Sequence, residues 1–351
     1  MGYNRCHSMK SRLETGPHAG HRVVTLPVLY LTVHTGCDCR CVMCDIWKAD
    51  NGGLEMSLAD MEAQSETIRK LEVKYVFISG GESLKNHHLW TFCKSLRRQG
   101  VKVILLSTGL MLEANAEEIV TSCDQLTVSV DGSPAVHDRI RQVNGCAELL
   151  AAGINAILAC RSDFAMVGRT VVQKLNCEDL HNVVRCGTDL GLRAVSFVGA
   201  DVSSTAFNRP TPWDEPKISQ IALSHSELCK LSRSIELLLT DYSKDFERGF
   251  ILNTPAQLWD IYRYYKALLG QCDFPPVKCR APWISAVLEA DGCIRPCFFH
   301  RPYGNVREKT LLEILNSKEA VQFRRKLKVS KNEICQRCVW AESRAAYDIV
   351  V

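Results

Sequence analysis

No stretch of this 351-residue chain approaches eighteen consecutive apolar residues, so no membrane-spanning helix is expected. The opening "MGYNRCHSMKSRLETGPHAGHR" lacks the apolar core of a secretory signal. Residues 1–24 read as a polar, loosely ordered lead-in, and the protein is expected to be cytoplasmic. The net charge is only +4 and reads as spread along the chain. No basic run is long enough to argue for a nucleic-acid partner. Internal repeats of the solenoid kind are missing too. What is left is an ordinary globular composition, 46% hydrophobic and 23% charged. Its length suits one large α/β domain plus a smaller one.

Cysteine is the residue in excess. The chain has 18, four of them within "GCDCRCVMCDIW" (36–47). Disulfide knot, zinc site and iron–sulfur cluster are the competing readings. Thiols in a reducing cytosol do not form a disulfide framework. They bind metal, act in catalysis, or pack as small apolar groups. Cys37, Cys41 and Cys44 follow the spacing C-x3-C-x2-C. Structural zinc prefers two close pairs, and one triplet does not supply four tetrahedral ligands. A cubic iron–sulfur cluster on three thiolates leaves one iron open to a small molecule. Cys39, inside the triplet, reads as a packed, non-ligating thiol.

Between about residues 26 and 200, apolar runs alternate with helical patterns. The runs are "VLYLTV" (28–33), "YVFIS" (75–79), "VKVILLS" (101–107), "QLTVSVDG" (125–132), "RTVVQKLN" (169–176) and "RAVSFVG" (193–199). "LADMEAQSETIRKLE" (58–72) and "LWTFCKSLRRQG" (89–100) are typical of the helices between them. Six strand–helix units imply a parallel sheet with right-handed crossovers, either flat and doubly wound or an open part of a barrel. Each run ends on polar or backbone-exposing residues: the cysteines, then Gly80-Gly81-Glu82, Ser107-Thr108-Gly109, Asp131-Gly132, Asn176 and Asp201. In barrel-like α/β folds that edge carries the chemistry. A Pro-, Ser- and Asn-rich loop (201–217) follows, then helical stretches at 217–240 and 255–269. The last eighty residues hold a hairpin, "ISAVLEADGCIRPCFF", turning at Asp291-Gly292, then a helix (310–327) and "CQRC". The expected division is 1–24 lead-in, 25–216 core, 217–270 helical connector and 271–351 C-terminal domain.

Three segments, in order and at strand ends, resemble the radical S-adenosylmethionine (SAM) superfamily: "TGCDCRCVMCDIWK" (35–48), "VFISGGES" (76–83) and "LTVSVDGSPAVHDRIRQVNG" (126–145). The resemblance implies a partial (β/α)6 TIM-like barrel. It implies a [4Fe-4S] cluster on Cys37, Cys41 and Cys44 whose open iron chelates SAM. One electron then cleaves the sulfonium, and the 5′-deoxyadenosyl radical takes a hydrogen atom from substrate. Gly80 and Gly81 would let the backbone approach the methionine moiety. Glu82 would accept a hydrogen bond from its amino group. Ser107 and Ser129 match positions of ribose or carboxylate contacts, Asp131 is a further candidate, and Met43 would touch the adenine. Asp38 and Ser83 depart from the family's usual asparagine and proline without removing a ligand.

Cys279, Cys297, Cys335 and Cys338, with Gly292 and "YGNV" (303–306), resemble the Twitch domain, the shortened SPASM domain, which holds one auxiliary [4Fe-4S] cluster. Cys272 competes with Cys279, Cys293 is a nearby spare, and zinc on the same four is an alternative. The remaining single cysteines read as packing residues. A fully ligated cluster passes electrons, which points to a radical SAM oxidoreductase acting on a small polar metabolite by dehydrogenation or epimerisation, similar to aminocyclitol dehydrogenases. Asp201 and Arg169 are the nominated catalytic residues, with Gln173, Asn208, Arg209 and Trp213 as substrate anchors. Cys39, Cys160 and Cys177 stand unranked as hydrogen donors for epimerisation. A flavodoxin or ferredoxin would supply electrons. The alternatives are a maturase of a ribosomal peptide, against which the short lead-in counts, and a non-catalytic zinc protein.

Overall fold

The computed structural model describes residues 21–48 and 53–341. The expected lead-in therefore lies mostly outside the described residues. Its last part does not: Val23 exchanges two hydrogen bonds with the Asn316 side chain, at 2.8 and 2.9 Å. Arg324 donates to the His21 carbonyl at 2.7 Å.

The apolar runs form strands because β-branched residues suit a pleated surface that is covered on both faces. They are β1 (Val28–His34), β2 (Tyr75–Gly80), β3 (Lys102–Ser107), β4 (Gln125–Ser129), β5 (Met166–Val172) and β6 (Ala194–Gly199). Every residue of β6 is buried. Neighbours pair in parallel and in sequence order, Val28 opposite Tyr75, Ile104 opposite Gln125, Val167 opposite Ala194. A doubly wound sheet reverses strand order at a switch point. Within β1–β6 the order never reverses, as an open six-unit barrel requires.

The sheet continues past β1 on its other side. β7 (Ser285–Leu288) lies parallel to β1, β8 (Cys293–Arg295) antiparallel to β7, and β9 (Gly304–Asn305) antiparallel to β8. Nine strands thus run in the order β6-β5-β4-β3-β2-β1-β7-β8-β9. The β6 edge is capped. The Asn253 side chain accepts from Phe197 N–H at 2.7 Å and donates to its carbonyl at 2.9 Å. Asn253 thereby takes the place of a neighbouring strand.

Several elements differ from expectation. The 58–72 helix breaks into Leu58–Glu62 and Ser65–Lys70. The 310–327 helix breaks at Ser317, whose hydroxyl caps a new helix, Lys318–Lys326. β5 starts three residues before the expected run and stops at Val172. The chain turns there because Asn176 Oδ1 accepts from Gln173 N–H at 2.8 Å. A helix, Pro134–Arg141, follows the turn after β4, with Pro at its start and Gln142 in left-handed conformation at its end. Among the described residues no single helix is long and apolar enough to cross a membrane.

Candidate active site

The cysteine loop begins where β1 leaves the sheet. Register slips between Thr32 and His34. Two backbone bonds then fasten the loop to the next strand end: Gly81 N–H to the His34 carbonyl at 2.7 Å, and Glu82 N–H to the Gly36 carbonyl at 2.9 Å. Gly80 has φ of +143°, and a Cβ there would sit 2.1 Å from the His34 carbonyl oxygen. A Cβ on Gly81 would sit 2.4 Å from the Gly36 carbonyl oxygen. The glycine pair is thus what lets the two loops touch. We expect Gly80→Ala to cost at least about 2 kcal/mol of stability and to lower iron uptake. Urea unfolding of the metal-free protein, with iron analysis after reconstitution, checks both. Unchanged values would remove this packing role.

A cavity of about 1210 Å³ opens at the carboxyl ends of β1–β6. Cys37, Cys41 and Cys44 line it, with Met43, Gly80 and Gly81 beside them. Ser107 and Ser129 line it from β3 and β4, Arg169 from the middle of β5 and Asp201 from just past β6. Glu82 and Asp131 do not line it.

Glu82 is 1% exposed and turned inward. Its Oε1 accepts from Leu84 N–H at 3.1 Å. Its Oε2 accepts from Ser107 Oγ at 3.0 Å and from Thr108 N–H at 2.8 Å and Oγ1 at 2.5 Å. Burial pushes the carboxyl pKa up, and these donors pull it back. In this structure Glu82 ties the ends of β2 and β3 together and does not line the cavity. Asp131 is fully buried, and its Oδ2 accepts from Arg141 Nε at 2.7 Å. The residue that reaches the cavity is Arg141, with Nη1 3.5 Å from Cys41 Sγ. Burial works against the Arg141 charge, but Asp131 and Cys41 more than offset it. Arg141 lies in the third matching segment, yet nothing local marks it as the residue Asp131 aims.

The thiols are poor anions on their own. The Cys39 hydrogen bond and then burial raise Cys41 well above the ordinary thiol value, with Arg141 opposing. Burial pushes Cys44 up to about 12. Cys39, fully buried at the cavity wall, hydrogen-bonds to Cys146, Cys37 and Cys41, and the Cys146 Sγ lies 3.3 Å from His137 Nε2. Such thiols ionise only when a metal supplies positive charge. Among the described residues, no three His, Cys, Asp or Glu side chains converge where one metal ion could be held. A cubic cluster asks for less, one thiol at each of several corners. The donor set therefore fits a cluster better than a single zinc ion.

The long loop at 201–217 is fastened to the cysteine loop. Trp213 Nε1 donates to Asp45 Oδ2 at 2.7 Å, and Lys217 Nζ to the Val42 carbonyl at 2.8 Å. The Arg209 guanidinium lies 3.7 Å from the Trp213 ring centre and pairs with Asp201 at 2.9 Å. Asn208 donates to the Asp45 carbonyl at 3.3 Å. Asp201 thus sits in the wall as half of a buried ion pair. Of the other nominated anchors, Asn208, Arg209 and Trp213 line the cavity, whereas Gln173 is fully buried behind it.

A second, apolar pocket is lined by Cys279, Cys297, Cys335 and Cys338. Burial pushes Cys297 up to about 11, Cys335 up to about 12, and Cys338 well above the ordinary thiol value. Cys272 is exposed and outside this pocket, and Cys293 is held by Asn305 instead. His300, a residue without a sequence signal, lies 3.4 Å from Cys335 Sγ by its Nε2. Three residues line both pockets: Tyr30, Phe298 and Trp340. Their rings meet in turn, Tyr30 to Phe298 at 5.3 Å and Phe298 to Trp340 at 5.9 Å. The Arg169 guanidinium lies 5.3 Å from the Trp340 ring. One layer of aromatic side chains separates the cavity from the four-thiol pocket.

An open parallel barrel with three thiols at its mouth and four more behind an aromatic wall defines a two-centre iron–sulfur enzyme. The Radical SAM superfamily model matches residues 31–187, and the SPASM model, an iron-sulfur cluster-binding domain, matches residues 279–339. The chain thus carries a radical SAM domain followed by a C-terminal SPASM domain. Its cofactors are [4Fe-4S] clusters and SAM. The tungsten-containing aldehyde ferredoxin oxidoreductase cofactor-modifying protein of Pyrococcus furiosus is 22% identical over 350 residues, 92% of this chain and 89% of that one. The structure of anSMEcpe with bound AdoMet superposes with TM-score 0.63 at 18% identity, covering 90% of this chain and 84% of that one. Streptococcus suis SuiB bound to S-adenosylmethionine gives 0.62 at 15%, covering 91% and 73%.

Proposed function

We propose that this enzyme oxidises a small polar substrate by hydrogen-atom abstraction, with the four-thiol centre receiving the second electron. SAM held at the cysteine loop would supply the 5′-deoxyadenosyl radical. Cys37, Cys41 and Cys44 would hold the cluster, with the Arg141 charge beside it. Met43, Gly80, Gly81, Ser107 and Ser129 form the wall against which SAM would lie. Arg169, stacked on Trp340, would anchor an electron-rich group of the substrate against the aromatic layer. Asp201 is the carboxylate on that wall assigned to take the proton. Cys279, Cys297, Cys335 and Cys338 would hold the auxiliary cluster.

The aromatic partition carries this reading. A substrate radical lying against Tyr30, Phe298 and Trp340 has one layer of side chains between it and the second centre. Losing one electron through that layer, and one proton, converts an alcohol or amine radical to a ketone or imine. A second reading is modification of a peptide, for which the cavity of about 1210 Å³ also has to hold the cluster and SAM. Similar folds have been solved with peptides, SuiB with precursor peptide SuiA and anSMEcpe with Cp18Cys peptide.

Anaerobic incubation with SAM, dithionite and deuterated substrates separates the two. Small polyols and amino sugars form one set, short peptides the other. The expected result is deuterium in 5′-deoxyadenosine from the first set, with a product lighter by two hydrogens. Transfer from peptides alone would overturn the proposal.

A further inference from the structure

The charge of the chain is not spread evenly, as a reading of the sequence alone takes it to be. Residues 318–337 hold seven basic and two acidic side chains against a net charge of +4 overall, which leaves the remainder close to neutral. Six of the seven are exposed: Lys318, Arg325, Lys326, Lys328, Lys331 and Arg337. The seventh, Arg324, is 1% exposed and bonded to the Leu315 and His21 carbonyls. The two acids, Glu319 and Glu333, are also exposed.

The same segment builds the outer wall of the four-thiol pocket. Leu327, Val329 and Ile334 line it with Cys335 and Cys338. Ile334 is 40% exposed, an apolar side chain next to a thiol. A solvated lysine-rich helix accounts for the charges. It does not account for Lys326 and Lys328 standing on either side of the pocket-lining Leu327, nor for an exposed isoleucine in the same wall. Small transient interfaces have this make-up, an apolar contact inside a charged rim that steers the partner.

We propose that this face docks an acidic one-electron carrier protein of the flavodoxin or ferredoxin class. The inference rests on the reading that Cys279, Cys297, Cys335 and Cys338 hold a redox centre. The oxidised carrier takes up the one electron that this centre receives from the substrate radical and leaves reduced by one electron. No bond forms or breaks, and the centre is restored for the next turnover.

The test uses the reconstituted full chain, an acidic flavodoxin carrying a fluorescent label, and the variant Lys326→Glu/Lys328→Glu/Lys331→Glu. At about 50 mM salt the variant should bind flavodoxin at least about tenfold more weakly than wild type, and the difference should shrink by about 300 mM as screening grows. Dithionite-driven formation of 5′-deoxyadenosine should stay unchanged. Lys328→Gln/Lys331→Gln, which removes exposed charge without reversing it, should weaken binding in the same direction. Wild-type affinity in both variants would overturn the proposal. So would an RNA oligonucleotide displacing flavodoxin at equal concentration, since the surface would then answer to any polyanion. A wild-type protein that binds flavodoxin but forms no 5′-deoxyadenosine with dithionite would count against the proposed function and leave the docking face standing.

Discussion

Cys41→Ala, reconstituted anaerobically, will lose about four iron ions per chain and form 5′-deoxyadenosine at least about a hundredfold more slowly than wild type. The size of the effect follows from how the loop is held. Cys41 is 6% exposed, and both its neighbours are fixed through the backbone. Arg40 N–H donates to the Arg141 carbonyl at 3.0 Å, and Val42 N–H to the Ile140 carbonyl at 3.1 Å. The loop is therefore pinned on both sides of Cys41, while Cys39, which also lines the cavity, hydrogen-bonds to Cys146 and to Cys41 itself. The fold should survive, because Arg141 keeps its bond to Asp131. Cys39→Ala is the companion variant, expected to keep both iron and cleavage. Wild-type cleavage by Cys41→Ala, or loss of it in Cys39→Ala alone, would reassign the ligands. Iron content and chromatographic assay of 5′-deoxyadenosine give the answer together.

Cys338→Ala should separate cleavage from product formation. It will lose about four iron ions per chain, keep 5′-deoxyadenosine formation within about threefold of wild type, and make oxidised product at least about a hundredfold more slowly. The two centres lie on opposite sides of Tyr30, Phe298 and Trp340, so emptying one leaves the thiols of the other in place. The hairpin itself should hold, because β7 is hydrogen-bonded to β1 and does not depend on a cluster for its position. Unimpaired product formation would take the second centre off the electron path. Loss of cleavage as well would mean that the aromatic wall depends on the cluster behind it.

Much of this was legible in the order of residues. Apolar runs of strand length separated by helical patterns reveal the six units, because burial on both faces leaves little freedom in composition. The triplet at 37–44 is legible because cluster ligands on one loop must be close in sequence. The C-terminal hairpin shows in its alternation and in Asp291-Gly292, since a tight turn restricts which residues can occupy it. Residues whose partners lie far along the chain were harder to read. Glu82 reads as a partner for the SAM amino group, and only the fold shows that Thr108 and Ser107 donate to it from another strand end. Asp131 looks like a cofactor contact until Arg141 takes its lone pair. The 201–217 loop reads as a source of substrate anchors, and only the fold shows Trp213 and Lys217 gripping the cysteine loop.

By itself the sequence determined the kind of chemistry, three thiols on a loop after the first strand and four more near the C-terminus, because ligand spacing and strand periodicity are local properties. Only the tertiary structure decided that β7 joins β1 in parallel. That pairing sets the four-thiol pocket behind the cavity with three aromatic rings between them. Tyr30 is some 270 residues from Phe298 in the chain, and no short-range pattern encodes a contact of that length. It arises when a strand edge, buried apolar surface and complementary shape are all satisfied at once.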